Sequence, residues 1–207
     1  MPQLFFLRHA ESEANAKHEY AGQLPIPLST AGHKEAERTA KMLKKDVTIH
    51  AILSSTLQRA LQTAFYFVDE YNIPMDPAEL IVEQDMGVFA GQTYENAHNS
   101  KYFENDTNNR WNWKIPESGE SYSMIADRVL KFLKGLEHLP KEQNILIITH
   151  GVTLRLIKGA LENTLPIYNT SLTRNCEIFK TQFEKLGIKH QLESIYYLDP
   201  NSVAHRE

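Results

Sequence analysis

The chain has almost no cysteine: Cys176 stands alone among 207 residues. That excludes an intrachain disulfide, a CxxC redox pair and a cysteine-built zinc module. It also lacks an excess of either charge, since 22 Lys and Arg against 26 Asp and Glu leave a formal −4. No overall basic field exists to hold a polyanion, so nucleic acid is not an expected partner. Long apolar runs are missing too. Ile145 to Ile148 is typical and far too short to span a bilayer, so no membrane partner is expected. The start, Met1-Pro2-Gln3-Leu4-Phe5-Phe6-Leu7-Arg8, has no basic n-region, which makes the cytoplasm the expected location. Also absent are GxxxxGK[ST], GxGxxG, HExxH and GxSxG. Nucleotide-loop, dinucleotide, zincin and serine-hydrolase chemistries therefore have no footing, and no metal or cofactor is expected.

What is present is ordinary for a globule, with 42% hydrophobic and 23% charged residues, so disorder and coiled coil are out. A prior of about 150 residues per domain leaves room for one domain, residues 1–207, and no second core. A chain of this size buries roughly 70% of its unfolded surface and needs no staples to fold.

Short apolar runs alternate with segments of helical period. Leu4 to Leu7, Ala51 to Leu53, Leu80 to Val82 and Ile145 to Thr149 read as strands, and Cys176 to Phe179 and Ile195 to Leu198 as outer strands. Ser29 is placed to cap a helix over about 32–44. Leu57, Leu61, Phe65 and Val68 share a face of a second helix that ends near Asn72 and Pro74. Ile125, Val129, Phe132 and Leu136 mark a third over about 120–139, and Leu154, Ile157 and Leu161 a fourth. Such alternation predicts an α/β fold with helices on both faces of the sheet. Residues 96–120 break the pattern: six Asn, Trp111 and Trp113 show no period. An irregular insert there is expected to act as a lid, or to be a surface excursion pinned down by its Trp residues.

In open α/β sheets ligands bind beyond the carboxyl ends of the strands. Arg8, His9, Glu11, Ser12 and Asn15 follow the first run, Ser54 to Arg59 the second, Glu83 the third, and His150 and Gly151 the fourth. Two guanidiniums and two imidazoles suit the oxygens of a phosphoryl group, and Arg59 falls in the first turn of a helix. A histidine in that setting is a nucleophile able to form a phosphoenzyme, which water then hydrolyses. Arg8, Arg59 and His150 would neutralise the transferred group without metal, and Glu83 would protonate the leaving oxygen. Each residue alone also has a structural reading, as a hydrogen-bonded His, a solvated Arg or a helix-capping Glu. The coincidence at four run ends favours the site. His18, His33, His50, His98, His138, His190 and His205 are scattered through polar stretches and expected at the surface.

These motifs resemble the histidine phosphatase superfamily, also called phosphoglycerate mutase-like. Leu7-Arg8-His9-Ala10-Glu11-Ser12-Glu13-Ala14-Asn15 is similar to its LRHGExxxN signature, with Ala10 for Gly. Ser54 to Ala64 is similar to SxLxRAxxTA, Glu83 to Gly91 to ExxxGxxxG, Pro116 to Ser121 to PxxGES, and Thr149-His150-Gly151 with Leu154-Arg155 to the second-histidine motif. The resemblance runs from Leu4 to about Ser171. It implies a three-layer α/β/α sandwich with a mostly parallel central sheet and an inserted lid-like segment. It further implies His9 as phosphate acceptor, Glu83 as proton donor with Asp85 the second candidate, and a pocket of Arg8, Arg59 and His150. Asn15 and backbone near Gly22 and Gly151 would assist, and no metal is needed.

Cofactor-dependent mutases of this family carry Arg-His-Tyr after the acid, where Gln84, Asp85 and Met86 stand. Tyr94 replaces their lysine, and Arg110-Trp111 is all that matches their paired arginines. The expected activity is therefore a metal-independent phosphomonoesterase on a small phosphorylated metabolite. A mutase is the alternative, and a non-catalytic phospho-ligand or protein-binding relative the second. Trp111, Trp113, Tyr94 and Tyr102 either line the entrance or pack. The oligomeric state is not legible in the sequence.

Overall fold

The computed structural model describes residues 1–168 and 173–196. Ser171 and His205, and the Tyr197-Leu198 end of the last expected strand, lie outside the described residues.

At the centre are β1 (Gln3–Arg8) and β4 (Asn144–Thr149), parallel neighbours whose apolar runs match strands buried on both faces. β2 (Ala51–Ser54) runs parallel to β4 on its other side, and β3 (Met75–Pro77) parallel to β2 at the edge. β5 (Ile178–Gln182) joins β1 antiparallel, and β6 (Glu193–Tyr196) joins β5, giving the order β3-β2-β4-β1-β5-β6. The sheet is mixed and mostly parallel.

Strand alternation sends Leu4, Phe6, Ile145 and Ile147 to one face, against α5 (Tyr122–Gly135) and α6 (Gly151–Leu161). Phe5, Leu7, Leu146 and Ile148 go to the other, against α2 (Thr30–Asp46) and α3 (Gln58–Tyr71). Two cores and one sheet make the α/β/α sandwich. Ser29 caps α2 as its position predicts, its Oγ accepting the Gly32 N–H at 2.9 Å. The short α1 (Glu13–Lys17) and α4 (Tyr94–His98) complete the helices of the described residues. None of these helices is long and apolar enough to cross a membrane.

Three expectations need correction. Leu80 to Val82 is no strand: Glu79–Ile81 is a 3-10 turn that buries Ile81 and leaves Leu80 40% exposed. The third parallel strand is β3, which Asp76 and Pro77 disguise, and Pro is tolerated there because β3 is an edge. On α3 the buried face is Arg59, Ala60, Thr63, Ala64, Phe67 and Tyr71, while Phe65 is 66% exposed. Small residues let the helix approach the sheet closely, so counting large apolar side chains picks the wrong face. His190 is buried rather than superficial, its Nε2 accepting the Glu184 N–H beside the Phe183 ring.

Residues 96–120 are less irregular than expected. They open in α4, and Phe103, Trp113 and Ile115 build a third small core with Tyr20, Met86 and Phe89. Trp111 stacks instead on Tyr168, Tyr94 packs on Tyr20, and Tyr102 faces solvent.

The Gly32 backbone passes so close to the loop after β1 that an added Cβ would sit 1.9 Å from the Glu11 carbonyl oxygen. Gly32→Ala should therefore destabilise by about 1–3 kcal/mol, as overpacking does. Melting temperature should fall by several degrees even though Ala is the better helix former. A variant that melts at or above the parent would show that this approach is not tight.

Candidate active site

Pairing of Leu7 with Ile148 and Arg8 with Thr149 carries β1 and β4 off the sheet together. His9 donates its N–H to the Thr149 carbonyl at 2.9 Å, and the His9 and His150 rings end with centroids 5.1 Å apart. β2 ends beside them. The Ser55 N–H reaches the Ile148 carbonyl at 2.9 Å, and the Ser55 hydroxyl lies 2.7 Å from His150 Nε2.

Arg59, in the first turn of α3, completes the cluster. Its Nε donates to His9 Nε2 at 3.2 Å, and its terminal nitrogens donate to the carbonyls of Gly22, at 2.7 Å, and Leu24, at 3.4 Å. Gly22 holds that carbonyl in place through a left-handed turn at φ +50°, where a Cβ would crowd Met86 at 3.1 Å. His9 Nδ1 lies 2.7 Å from the Ala10 carbonyl, which only accepts, so the ring proton is on Nδ1 and the lone pair on Nε2. Arg8 donates to the Thr173 carbonyl at 2.6 Å. Arg8, His9, Arg59 and His150 are each at most 1% exposed. Burial, then the Arg59 guanidinium, pushes the His150 pKa well below the usual imidazole range, with the more distant charges of Arg128 and Arg8 adding to it. Its ring is neutral at pH 7. Buried positive charge around two neutral imidazoles suits a dianionic phosphoryl group.

Glu83 follows a turn, not a strand. Its carboxyl is held by the Val152 N–H at 3.1 Å, the Thr153 N–H at 3.1 Å, the Thr153 hydroxyl at 3.2 Å and the Gln84 N–H at 3.0 Å. The first turn of α6, which Gly151 opens, is thus its cradle. Asp85, the other candidate acid, caps a turn instead, accepting the Gly87 N–H at 2.8 Å. Asn15 uses its side-chain oxygen in the Ser12 capping box and accepts from the Asn175 amide at 3.3 Å, which anchors it beside the end of β1.

A pocket opens beside this cluster, bordered by Gly22 and Glu83. Tyr20, Met86, Phe89, Phe103, Trp113, Ile115 and Tyr122 wall it, and Gln84 and Arg110 add polar groups. Of the four aromatic residues singled out in the sequence, Trp113 alone lines it.

Several supports carry no motif. Asn175 donates to the His9 carbonyl at 2.8 Å, and the Cys176 N–H to the Arg8 carbonyl at 3.0 Å, so the turn before β5 braces the end of β1. The Cys176 thiol is itself fully buried, which pushes its pKa up and keeps it protonated. Arg128 of α5 is the larger omission. It pairs with Glu120 through Nε at 3.2 Å and donates to the carbonyls of Leu80, at 2.9 Å, and Glu83, at 3.1 Å. Glu120 in turn accepts the Asp85 N–H at 2.9 Å. The strap from Leu80 to Asp85 is therefore tied to α5 on both sides of Glu83. In sequence Arg128 looks like any polar residue on the solvent side of an amphipathic helix. Arg128→Met should lower kcat about tenfold or more, since small misplacements of reacting groups are costly. Arg128→Lys should recover part of it. An unchanged kcat in folded Arg128→Met would rule out this positioning role.

Comparison with known proteins agrees with the geometry. The chain is 32% identical to phosphoserine phosphatase 1 of Hydrogenobacter thermophilus over 165 residues, covering 78% of this chain and 76% of the relative. It is 29% identical over 164 residues to the adenosylcobalamin/α-ribazole phosphatase of Escherichia coli K12, covering 76% and 78%. The fold superposes on a phosphoserine phosphatase from Entamoeba histolytica, solved in complex with 3-phosphoglyceric acid, with TM-score 0.81 at 23% identity over 99% of both chains. The family model for branch 1 of the histidine phosphatase superfamily matches residues 4–192, a span that holds all four converging side chains and Glu83. The motifs, the sandwich and these matches place the chain in the histidine phosphatase superfamily.

Proposed function

We propose that the protein is a metal-independent phosphomonoesterase that works through a phosphohistidine on His9. One observation carries this reading: His9 turns a lone-pair Nε2 toward Arg59 while Nδ1 is tied to the Ala10 carbonyl, inside a buried, cationic cluster. Substrate phosphate takes the place of Nε2 as the partner of Arg59, with Arg8 and His150 on its other oxygens. Nε2 attacks phosphorus, the Nε2–P bond forms, and the bond from phosphorus to the ester oxygen breaks. The arriving phosphate dianion offsets the pull of the N–H cradle toward the carboxylate, so that Glu83 takes up a proton from solvent and gives it to that oxygen as the alcohol leaves. Water then attacks the phosphohistidine, Glu83 takes up its proton, and inorganic phosphate and free His9 are restored. Such proton transfer contributes about 10²–10⁴-fold, and fixed cationic donors at the transferred group add the larger electrostatic share. The alcohol portion occupies the aromatic pocket beside Glu83.

The reading favours hydrolysis over mutase chemistry because, among the described residues, Arg110 is the one cationic side chain bordering that pocket. A phosphoglycerate mutase must grip a second anionic group of its primer throughout the reaction, and an apolar wall does so poorly. The relatives named for phosphoserine and α-ribazole phosphate hydrolysis support a small phosphorylated metabolite as substrate.

Phosphate release from a panel of phosphomonoesters should persist in EDTA and fall at least about 10³-fold in His9→Ala, consistent with the loss of a nucleophile. Exchange between 2- and 3-phosphoglycerate with 2,3-bisphosphoglycerate as primer, with little release, would make the protein a mutase. Glu83→Gln should slow alkyl esters about 10²-fold or more and spare aryl esters, whose leaving groups need no proton. Equal losses on both would remove Glu83 from the role of acid.

A further inference from the structure

The Ala10 carbonyl that holds His9 Nδ1 at 2.7 Å is one end of a peptide group. The other end, the Glu11 N–H, donates to Glu35 Oε2 at 3.0 Å. A single conjugated unit therefore lies between the ring proton of His9 and a carboxylate. The start of α2 brings that carboxylate into place. Gly32 lets the helix backbone approach the Glu11 carbonyl, and Glu35 follows three residues later on the same face. Ser29 completes the grip, its N–H on the Glu11 carbonyl at 3.0 Å and its hydroxyl on Glu11 Oε1 at 2.6 Å.

Nothing in the mechanism so far uses the charge of Glu35. The residue is partly buried, yet among the described residues no Lys, Arg or His nitrogen lies within ion-pair distance of it. Its second partner is the protonated Cys176 thiol, which donates to it. Burial raises the Glu35 pKa, with the Glu11 carboxylate adding to the rise, while the Glu11 N–H, Arg8 and the thiol pull it back. Both hydrogen-bond partners are donors, so the surroundings fit the carboxylate and not the acid. Anchoring the loop would need only a neutral oxygen, and a buried charge is a costly way to supply one.

The reaction on His9 creates the charge that this anion matches. When Nε2 gives its lone pair to phosphorus and Nδ1 keeps its proton, the ring becomes a cation beside Arg8 and Arg59. When water breaks the Nε2–P bond, the pair returns to Nε2 and the ring is neutral again. We infer that Glu35 is a positioning residue for His9, fixing its Nδ1–H tautomer and offsetting the ring's positive charge through the Ala10–Glu11 peptide. This rests on the phosphomonoesterase reading for the charge that the ring gains. A carboxylate on the N–H polarises the peptide and makes the Ala10 carbonyl a better acceptor for the ring proton as that proton grows more acidic. Binding of phosphate alone leaves the ring uncharged, so Glu35 acts on bond formation and not on substrate affinity.

Glu35→Gln tests this, because it keeps an oxygen for the Glu11 N–H and removes the charge. It should lower kcat about tenfold or more, the usual cost of losing an outer partner of a reactive group. KM and melting temperature should stay close to the parent's. Affinity for vanadate, which bonds to Nε2 as phosphorus does in the transition state, should fall by a similar factor while affinity for inorganic phosphate holds. A merely structural contact produces no such split. An unchanged kcat, or equal losses of vanadate and phosphate affinity, would overturn the inference. Should Glu35→Gln fold poorly, the parent decides: vanadate should move the Glu11 amide proton downfield in its NMR spectrum, and an unmoved resonance would be equally fatal. A parent that hydrolyses no ester, but whose His9 Nδ1 proton moves upfield in Glu35→Gln, would keep the coupling to Glu35 and remove the phosphatase reading instead.

Discussion

Everything at the site depends on the register between β1 and β4. Parallel pairing of Arg8 with Thr149 makes His9 and His150 the next residues on adjacent strands, and their rings meet although most of the chain separates them. A slip of one residue would turn every side chain of β1 to the opposite face. Leu4 and Phe6 would leave the core under α5 and α6, and Phe5 and Leu7 the core under α2 and α3. The two hydrophobic cores therefore enforce the register, and the register places the imidazoles. Stability of the sandwich and geometry of the site are one constraint.

The second constraint is electrostatic. Burying Arg8 and Arg59 beside two imidazoles is expensive in the absence of substrate, and the fold offsets part of the cost with backbone dipoles. Carbonyls of Gly22, Leu24 and Thr173 take the guanidinium protons, and the neutral state of His150 avoids a further charge. Glu83 is held in the opposite way, by N–H groups at the start of α6. Carbonyls thus cradle the cations and amides the acid, on two elements that leave the sheet side by side. The proposed chemistry uses that division directly: the cationic side receives phosphate, and the acid faces the alcohol.

Much of this was legible in the sequence because burial on both faces demands continuous apolar runs. β1, β2 and β4 declared themselves, and the reactive residues stood immediately after them. Helices α2, α5 and α6 were legible through their spacing and through Ser29. The failures have physical causes. β3 carries Asp76 and Pro77, which only an edge strand accepts, so the run at Leu80 to Val82 took its place. α3 approaches the sheet through Ala60 and Ala64, and its one large exposed ring, Phe65, counted for the wrong face. Arg128, Asn175 and the Gly22 carbonyl act through backbone contacts made across the fold, which spacing does not encode. Glu35 sits in a recognisable helix, but its hydrogen bond joins that helix to the loop after β1 and had no signature in either.

The central claim is covalent: phosphate passes through His9. The most direct measurement mixes the enzyme with a good phosphoester, quenches it in alkali within milliseconds, and maps acid-labile phosphate onto peptides by mass spectrometry. The account predicts phosphate on the peptide containing His9, appearing at least as fast as product and disappearing as substrate runs out. Turnover with no phosphorylated peptide, or with phosphate on the His150 peptide instead, would contradict it.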